Sequence, residues 1–177
     1  MDIRVRHARP HEYARIGEIT AQAYLGDGLL DFGESDEYLG ELRNVAKRAA
    51  AAEVLVAVDH GHILGAVDHG NILGAVTFVP HGGPMADIAH PGEAEIRMLA
   101  VARESRGRGA GETLVRACVD HARATAGCVR VVLSTQRTMH AAHRIYERLG
   151  FTRTPDRDWN PVPDLDDITL LTYELTL

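Results

Sequence analysis

An α/β fold on one mixed sheet is predicted by three features of the sequence: short stretches alternating apolar and polar residues, longer stretches with an apolar residue every third or fourth position, and one strand–helix–strand passage set among hairpins. Ile3, Val5 and His7 alternate with Asp2, Arg4 and Arg6 as in a half-buried strand, and over residues 11–25 Tyr13, Ile16, Ile19, Ala23 and Tyr24 fall at helical spacing. A second helix is expected over 36–52, with Tyr38, Leu39, Leu42, Val45 and Ala46 on one stripe and Glu41, Arg43 and Lys47 away from it. Strands follow at 53–58, 75–79 and 93–101, the last with Glu93, Glu95, Arg97, Leu99 and Val101 on one face by its period of two. Leu114, Cys118 and Ala122 mark a helix over 109–126, and 129–133 reads as a buried strand. Met139, Ala142, Ile145 and Leu149 give the next helix its stripe, Gly150 stops it, and strands from 151 onward and at 168–177 close the chain. The predicted order is βααβββαβαββ.

Composition narrows the function. The 177 residues are 45% hydrophobic and 25% charged, the make-up of one domain spanning 1–177, with no Pro/Gly/Ser linker to divide it. A net charge of −6 argues against a nucleic-acid or membrane-surface partner. No apolar run approaches the roughly 18 residues of a bilayer span, and residues 1–10 lack the apolar stretch of a signal peptide, so a cytoplasmic location is expected. Cys118 and Cys128 form no CxxC pair and read as core thiols.

Residues 58–66, VDHGHILGA, are repeated at 67–75 as VDHGNILGA, with only His62 and Asn71 differing. The plain reading is a duplication tolerated in a hairpin turn; the other is a new binding surface. Nine is odd, so an insert held within one strand would exchange its core and solvent faces. The hairpin between the second and third strands is therefore expected to lengthen on both sides, a bulge or loop absorbing the odd residue. A longer edge also invites pairing with a second copy, as a homodimer.

The segment Arg106-Gly107-Arg108-Gly109-Ala110-Gly111 stands between a strand and a helix. Glycines there let backbone N–H groups turn inward beside the free amides of a helix N-terminus, a cradle for phosphate oxygens to which Arg106 and Arg108 add charge. A purely structural turn is the alternative. Dinucleotide-binding and P-loop motifs fail, since Glu112-Thr113-Leu114 supplies neither the glycine of the first nor the Gly-Lys-Ser/Thr of the second. The loop instead resembles the Arg/Gln-x-x-Gly-x-Gly/Ala signature of the Gcn5-related N-acetyltransferase (GNAT) family, met by Arg106, Gly109 and Gly111. Met98-Leu99-Ala100-Val101 resembles that family's fourth strand, and the segment from Ala142 through Tyr146 to Gly150-Phe151 resembles its Tyr-x-x-x-Gly-Phe segment. Arg157-Asp158-Trp159-Asn160-Pro161 with a final strand is similar to an actinobacterial branch of unassigned substrate.

The resemblance implies fourth and fifth strands that splay apart, and acetyl-CoA as cosubstrate. It implies that the pyrophosphate sits on Arg106, Gly107, Arg108, Gly109, Ala110, Gly111 and Glu112, and that backbone groups of Leu99, Ala100 and Val101 hold the pantetheine arm. It makes Tyr146 the general acid on the leaving thiolate, against a plain core tyrosine beside Ile145 and Leu149. Glu95 aligns with the general base of some members, and Glu93, two residues away, is a rival. Both glutamates could instead pair with Arg97 or solvent. An ammonium of pKa about 10.4 gives its proton to a carboxylate of about 4.3 only with desolvation or a water relay.

Met139 stands where the family often has asparagine, with His140 and His143 nearby on a helix face expected to be solvated. His60, His62, His69, His81 and His90 lie in turns without fixed spacing or a companion cysteine, so no metal site is expected among them. The reaction implied is transfer of an acetyl group to a primary amine of a small molecule or peptide by direct attack in a ternary complex. A noncatalytic acyl-CoA-binding module is the alternative. The acceptor cleft is expected around residues 24–32, the 80–92 loop and Trp159, with Asp27, Asp31 and Glu34 favouring a cationic acceptor.

Overall fold

The computed structural model describes residues 2–59 and 71–177. In chain order its elements are β1 (Ile3–His7), α1 (Tyr13–Gly26), α2 (Tyr38–Arg43), α3 (Val45–Ala51), β2 (Glu53–Asp59), β3 (Asn71–Val79), β4 (Glu93–Val101), α4 (Ala110–Ala124), β5 (Arg130–Thr135), α5 (His140–Arg148), β6 (Thr152–Arg153) and β7 (Leu171–Thr176). The strands form one mixed sheet ordered β1-β2-β3-β4-β5-β7-β6. Only β4 and β5 run parallel, joined by the α4 crossover; the other neighbours are antiparallel.

Both faces of the sheet are covered, which is why β2 reads as a nearly unbroken apolar run. Leu55 and Ala57 pack with Leu114, Cys118 and Ala122 of α4, whereas Val54, Val56 and Val58 pack with Ile16 and Ile19 of α1 and Val45 of α3. Among the described residues no helix is long and apolar enough to cross a membrane.

The single helix expected over 36–52 is two helices. The chain leaves helical geometry at Asn44 (φ −82°, ψ 67°), whose side chain accepts the Lys47 N–H at 3.1 Å and so starts α3. The end of α2 is closed by Arg48, 2% exposed, which donates to the Glu41 and Leu42 carbonyls at 2.7 and 2.8 Å. Gly17 permits the break to pack on α1, since a Cβ there would stand 2.6 Å from the Arg43 carbonyl oxygen.

The first copy of the repeat gives β2 its end, Val58 and Asp59, and the second gives β3 its beginning. They pair as Val58↔Ile72 and Asp59↔Asn71, with a bulge between Ala57 and Val58. The expected lengthening falls on residues 60–70, outside the described residues.

Strand β4 departs from strict alternation. Ala94 and Ile96 face α4, but so do Leu99 and Val101, while Met98 packs on the α1/α2 side with Ala21, Leu39 and Leu42. The reversal is made at Met98, which has φ +53°, beside a register shift in the β3–β4 ladder between Ala75 and Thr77. Glu93, Glu95 and Arg97 therefore do not share a face with Leu99 and Val101, contrary to the simple period of two.

Candidate active site

The site begins where the sheet opens. The parallel β4–β5 ladder runs from Glu93↔Arg130 to Ile96↔Leu133 and stops; beyond it Ser134 and Thr135 pair only with β7, and the end of β4 pairs only with β3. Backbone groups of Arg97 through Val101 on the β5 side are thus left for a ligand that can hydrogen-bond like a strand. The opening leads into two cavities, of about 490 and 780 Å³, that share Tyr24, Leu29, Leu99, Met139 and Ala142 as walls.

Glu95 and Tyr146 both line the smaller cavity. The glutamate is 1% exposed, and its Oε2 accepts three backbone N–H groups, from Asp87, Ile88 and Ala89, at 2.9, 3.0 and 3.1 Å. This fold of the 79–93 connection engages one carboxylate oxygen and leaves Oε1 without a hydrogen-bond partner among the described residues, on a side chain that lines the cavity. Burial raises the Glu95 pKa above its ordinary value, and the backbone donors only partly offset that. Arg97 does not pair with Glu95: it donates to the Met85 carbonyl at 2.7 Å and meets Asp87 at 2.8 Å, holding the same loop.

Glu93 has the opposite surroundings. Arg157 grips it with two bonds of 3.0 and 2.8 Å, Arg130 donates at 2.9 Å and the His90 N–H at 3.0 Å. Burial alone would raise its pKa, but these donors outweigh it and bring the carboxyl down to about 2. It lines neither cavity, and its carboxylate is engaged by two arginines and a backbone N–H.

Tyr146, on α5, stacks among Phe151 and Tyr173 at 5.9 and 5.8 Å between ring centres. It is packed in the core and also borders the cavity, so the two readings of this residue are not exclusive. No described residue hydrogen-bonds its hydroxyl, and burial pushes the phenol pKa upward, keeping it protonated.

The larger cavity is walled by Leu99, Ala100 and Val101 on one side and by Arg106, Gly107, Gly109, Ala110, Gly111 and Glu112 on the other. Gly107 and Gly109 have φ of +74° and +87°, the left-handed region that glycine enters without penalty. Gly109 is the N-cap of α4 and offers no capping side chain, so the first-turn amides point into the groove uncapped. A groove with an uncapped helix N-terminus at one end and an open strand edge along its wall fits an extended ligand with an anionic group and amides. Arg106 forms a two-bond pair with Asp27 at 2.8 and 2.9 Å at the rim. Arg108 does not line the cavity and meets Asp59 of β2 at 2.7 Å.

Around the smaller cavity stand Asp31, Phe32, the loop residue Asp87 and Trp159, from the stretches named for the acceptor, together with Asp36 and Tyr38 from outside them. Asp27 is spent on Arg106 and Glu34 lies outside the lining, so neither belongs to this wall. Trp159 is fixed by its indole N–H on Ser134 Oγ at 2.8 Å, and Arg157 beside it closes on Glu93 and the Ile88 carbonyl. Sequence reasoning missed Asp36 and Gln136; the latter donates to the Leu29 carbonyl at 2.7 Å across 107 positions. Nothing local in the sequence signals such long-range ties.

His143 is not on a solvated face: its Nε2 lies 3.2 Å from Thr135 Oγ1 and 3.0 Å from the Gln136 carbonyl, and burial lowers its pKa. His140 borders the larger cavity. Met139 lines both cavities, with Thr135 Oγ1 at 3.3 Å from its sulfur. Cys118 is fully buried with its thiol pKa pushed up by burial, so it is not an activated nucleophile, and Cys128 is half-buried and lines neither cavity.

Solved structures of similar fold reach the whole chain. One is a GNAT-family acetyltransferase from Staphylococcus aureus, 14% identical over 99% of both chains with a TM-score of 0.70. A GCN5-related N-acetyltransferase from Kribbella flavida is 20% identical over 99% of this chain and 98% of its own, with a TM-score of 0.69. The Salmonella typhimurium protein yncA, solved with its cofactor acetyl-CoA, is 22% identical over 100% and 95%, with a TM-score of 0.68. None of the curated protein sequences matches the chain. The model of the acetyltransferase (GNAT) family matches residues 30–151, which include the glycine loop, the β4–β5 opening and Tyr146. The chain therefore belongs to the GNAT acetyltransferase family and is an acetyl-CoA-dependent acyltransferase.

Proposed function

We propose that the protein, as one catalytic domain, transfers an acetyl group to a primary amine of a cationic small molecule or peptide. The observation that carries this reading is the pairing of a carboxylate and a phenol of distinct chemistry on one cavity beside the β4–β5 opening. Acetyl-CoA, when bound, supplies a thioester carbonyl. The cradle of Arg106 to Glu112 would hold its pyrophosphate, and backbone groups of Leu99 to Val101 its pantetheine amides.

Glu95 Oε1 would receive the proton of the attacking ammonium, directly or through water. Its raised pKa narrows the gap of about 6 units that separates an ordinary glutamate from an alkylammonium. The three N–H donors on Oε2 would fix the carboxylate and leave Oε1 for the proton. Tyr146 would give its hydroxyl proton to the departing sulfur, and it enters the reaction protonated because burial disfavours its anion. Asp31 and Asp36 supply negative field to a cationic acceptor, and Tyr24, Tyr38 and Trp159 supply apolar walls. The buried state of Cys118 favours direct attack over an acetyl-enzyme.

The test is Tyr146→Phe, assayed by thiol release against a panel of amino acids, polyamines, aminoglycosides and N-terminal peptides. A turnover loss of about 10²-fold or more, with acetyl-CoA affinity unchanged, is expected. Equal turnover would leave Tyr146 to core packing alone.

A further inference from the structure

On the α4 face of the sheet the apolar rows of β1 and β2 end in polar residues. Ile3 and Val5 lead to His7, and Ala57 and Leu55 lead to Glu53, all on the side that α4 covers. The β1–β2 register sets His7 opposite Leu55, so His7 and Glu53 are diagonal neighbours on one face. The helix stripe ends in the same way: three residues after the buried Cys118, His121 reaches over this corner, its ring edge-on to Phe78 at 5.8 Å. Three elements thus bring two imidazoles and a carboxylate together. His7 Nε2 and His121 Nδ1 lie 3.1 and 3.0 Å from the same Glu53 Oε2, and the three atoms fall within 4.8 Å of one another.

We propose that His7, Glu53 and His121 form a binding site for a divalent first-row metal ion, zinc foremost. The donor set is two imidazoles and one carboxylate, which suits zinc, cobalt and nickel. Bonds of about 2.0–2.1 Å in a tetrahedral shell hold ligand atoms roughly 3.3 Å apart, close to the two short separations present here. His7 is 64% exposed in its side chain, which leaves a path for entry and a fourth position for water. The site is distinct from the acetyl-transfer centre. His121 is 11 residues beyond the first residue of α4, about 16 Å along the helix from the glycine cradle. A bound ion would clamp the edge strand β1 to β2 and α4, because it binds the folded arrangement of three separate elements and not the unfolded chain.

The test uses the full chain, stripped with a chelator and titrated with Zn²⁺ by calorimetry and with Co²⁺ by visible absorption. One Zn²⁺ per chain, d–d bands of four- or five-coordinate Co²⁺, and a higher Tm with excess Zn²⁺ are expected. Glu53→Gln and His121→Ala should each weaken binding at least tenfold, while a variant with His60, His62 and His69 all changed to Ala should bind as before. His7→Ala, at an exposed strand end, provides the same loss if a variant at the buried side fails to fold. Absence of Zn²⁺ binding up to millimolar concentration, undiminished binding in the ligand variants, or loss in the variant changed at His60, His62 and His69 would each overturn the assignment.

Discussion

At Ala57 and Val58 the β2–β3 ladder skips a residue, and around Met98 the β3–β4 ladder does the same, yet the two breaks in one sheet have different surroundings. The first is enclosed by Val56, Val58, Ile72 and Leu73, all buried hydrophobics, and the sheet continues across it. At the second the β4–β5 ladder has already ended at Ile96, and Glu95, Tyr146, Leu99 and Thr135 stand around the gap. A bulge by itself only re-aims side chains; it makes a site where the neighbouring strand also withdraws and polar groups meet the opening.

The sharpest test of that contrast is Glu95→Gln, which keeps the shape of the break and removes the proposed base. Turnover should fall by about 10²–10⁴-fold, or about 2.7–5.4 kcal/mol, with acetyl-CoA affinity retained. The wild-type pH–rate profile should show an acid limb above the ordinary glutamate pKa of 4.5, because burial raises this carboxyl and only its ionised form takes a proton. That limb should vanish in the variant. A profile unchanged by the substitution would assign the limb to another group and leave Glu95 holding the loop.

Two residues away, at the paired end of β4, the same substitution should act on stability. Glu93→Gln leaves Arg157, 17% exposed, facing a neutral partner in the interior, at a cost of about 3 kcal/mol. The folded pKa of Glu93, about 2, lies below its ordinary 4.5. Its contribution is therefore fully present above pH 4.5 and is lost as the pH falls towards 2. Glu95 has the reverse sign: the stability its neutral form contributes is present below pH 4.5 and is lost as the pH rises through its higher folded pKa. Acid unfolding followed by circular dichroism should show a shallower loss between pH 4.5 and 2 in Glu93→Gln than in the wild type. An equally steep loss would assign acid sensitivity to other carboxylates.

Gly109→Asp probes the groove on the far side of the opening. A side chain at φ +87° is strained, and a negative charge enters beside the uncapped amides of α4. CoA affinity should drop at least tenfold, about 1.4 kcal/mol, in a calorimetric titration of the folded variant. Affinity within error of the wild type would remove the cradle from the binding site.

The sheet, its element order and the glycine loop were legible because periodicity and turn chemistry are local. The two helices at 38–51 were not, because Asn44 sits within an apolar stripe that continues across the break, and the capping by Arg48 is a packing event. Glu93 and Glu95 look alike in sequence, since the arginine that separates their roles, Arg157, arrives 64 positions after Glu93. Arg108 meets Asp59 of another strand, a partner that its place in the loop does not announce. The face reversal at Met98 has no glycine or proline to announce it. What sequence patterns miss here is the partner chosen across the fold.

The repeat beyond the first break should prove dispensable, and deletion of residues 67–75 measures this. After the deletion His62, Ile63, Leu64, Gly65 and Ala66 stand directly before Val76, where Asn71, Ile72, Leu73, Gly74 and Ala75 stand now, so only one side chain of the β3 start changes. Val58 and Asp59 are kept, and the ladder Val58↔Ile72, Asp59↔Asn71 can form again with Ile63 and His62 across a two-residue His60-Gly61 turn. Gly65 replaces Gly74, whose Cβ would stand 2.5 Å from the Ala100 carbonyl oxygen, so the close approach of β3 to β4 next to the coenzyme groove is preserved. The Arg108–Asp59 ion pair also survives, and an exposed pair of this kind contributes at most about 1 kcal/mol. CoA affinity should then stay within about threefold, or about 0.65 kcal/mol, and the Tm should hold. Failure to fold would contradict a tolerated duplication, whereas a changed acceptor profile or a changed mass by light scattering, with CoA affinity intact, would show that the repeat shapes the acceptor cleft or an edge shared between two chains.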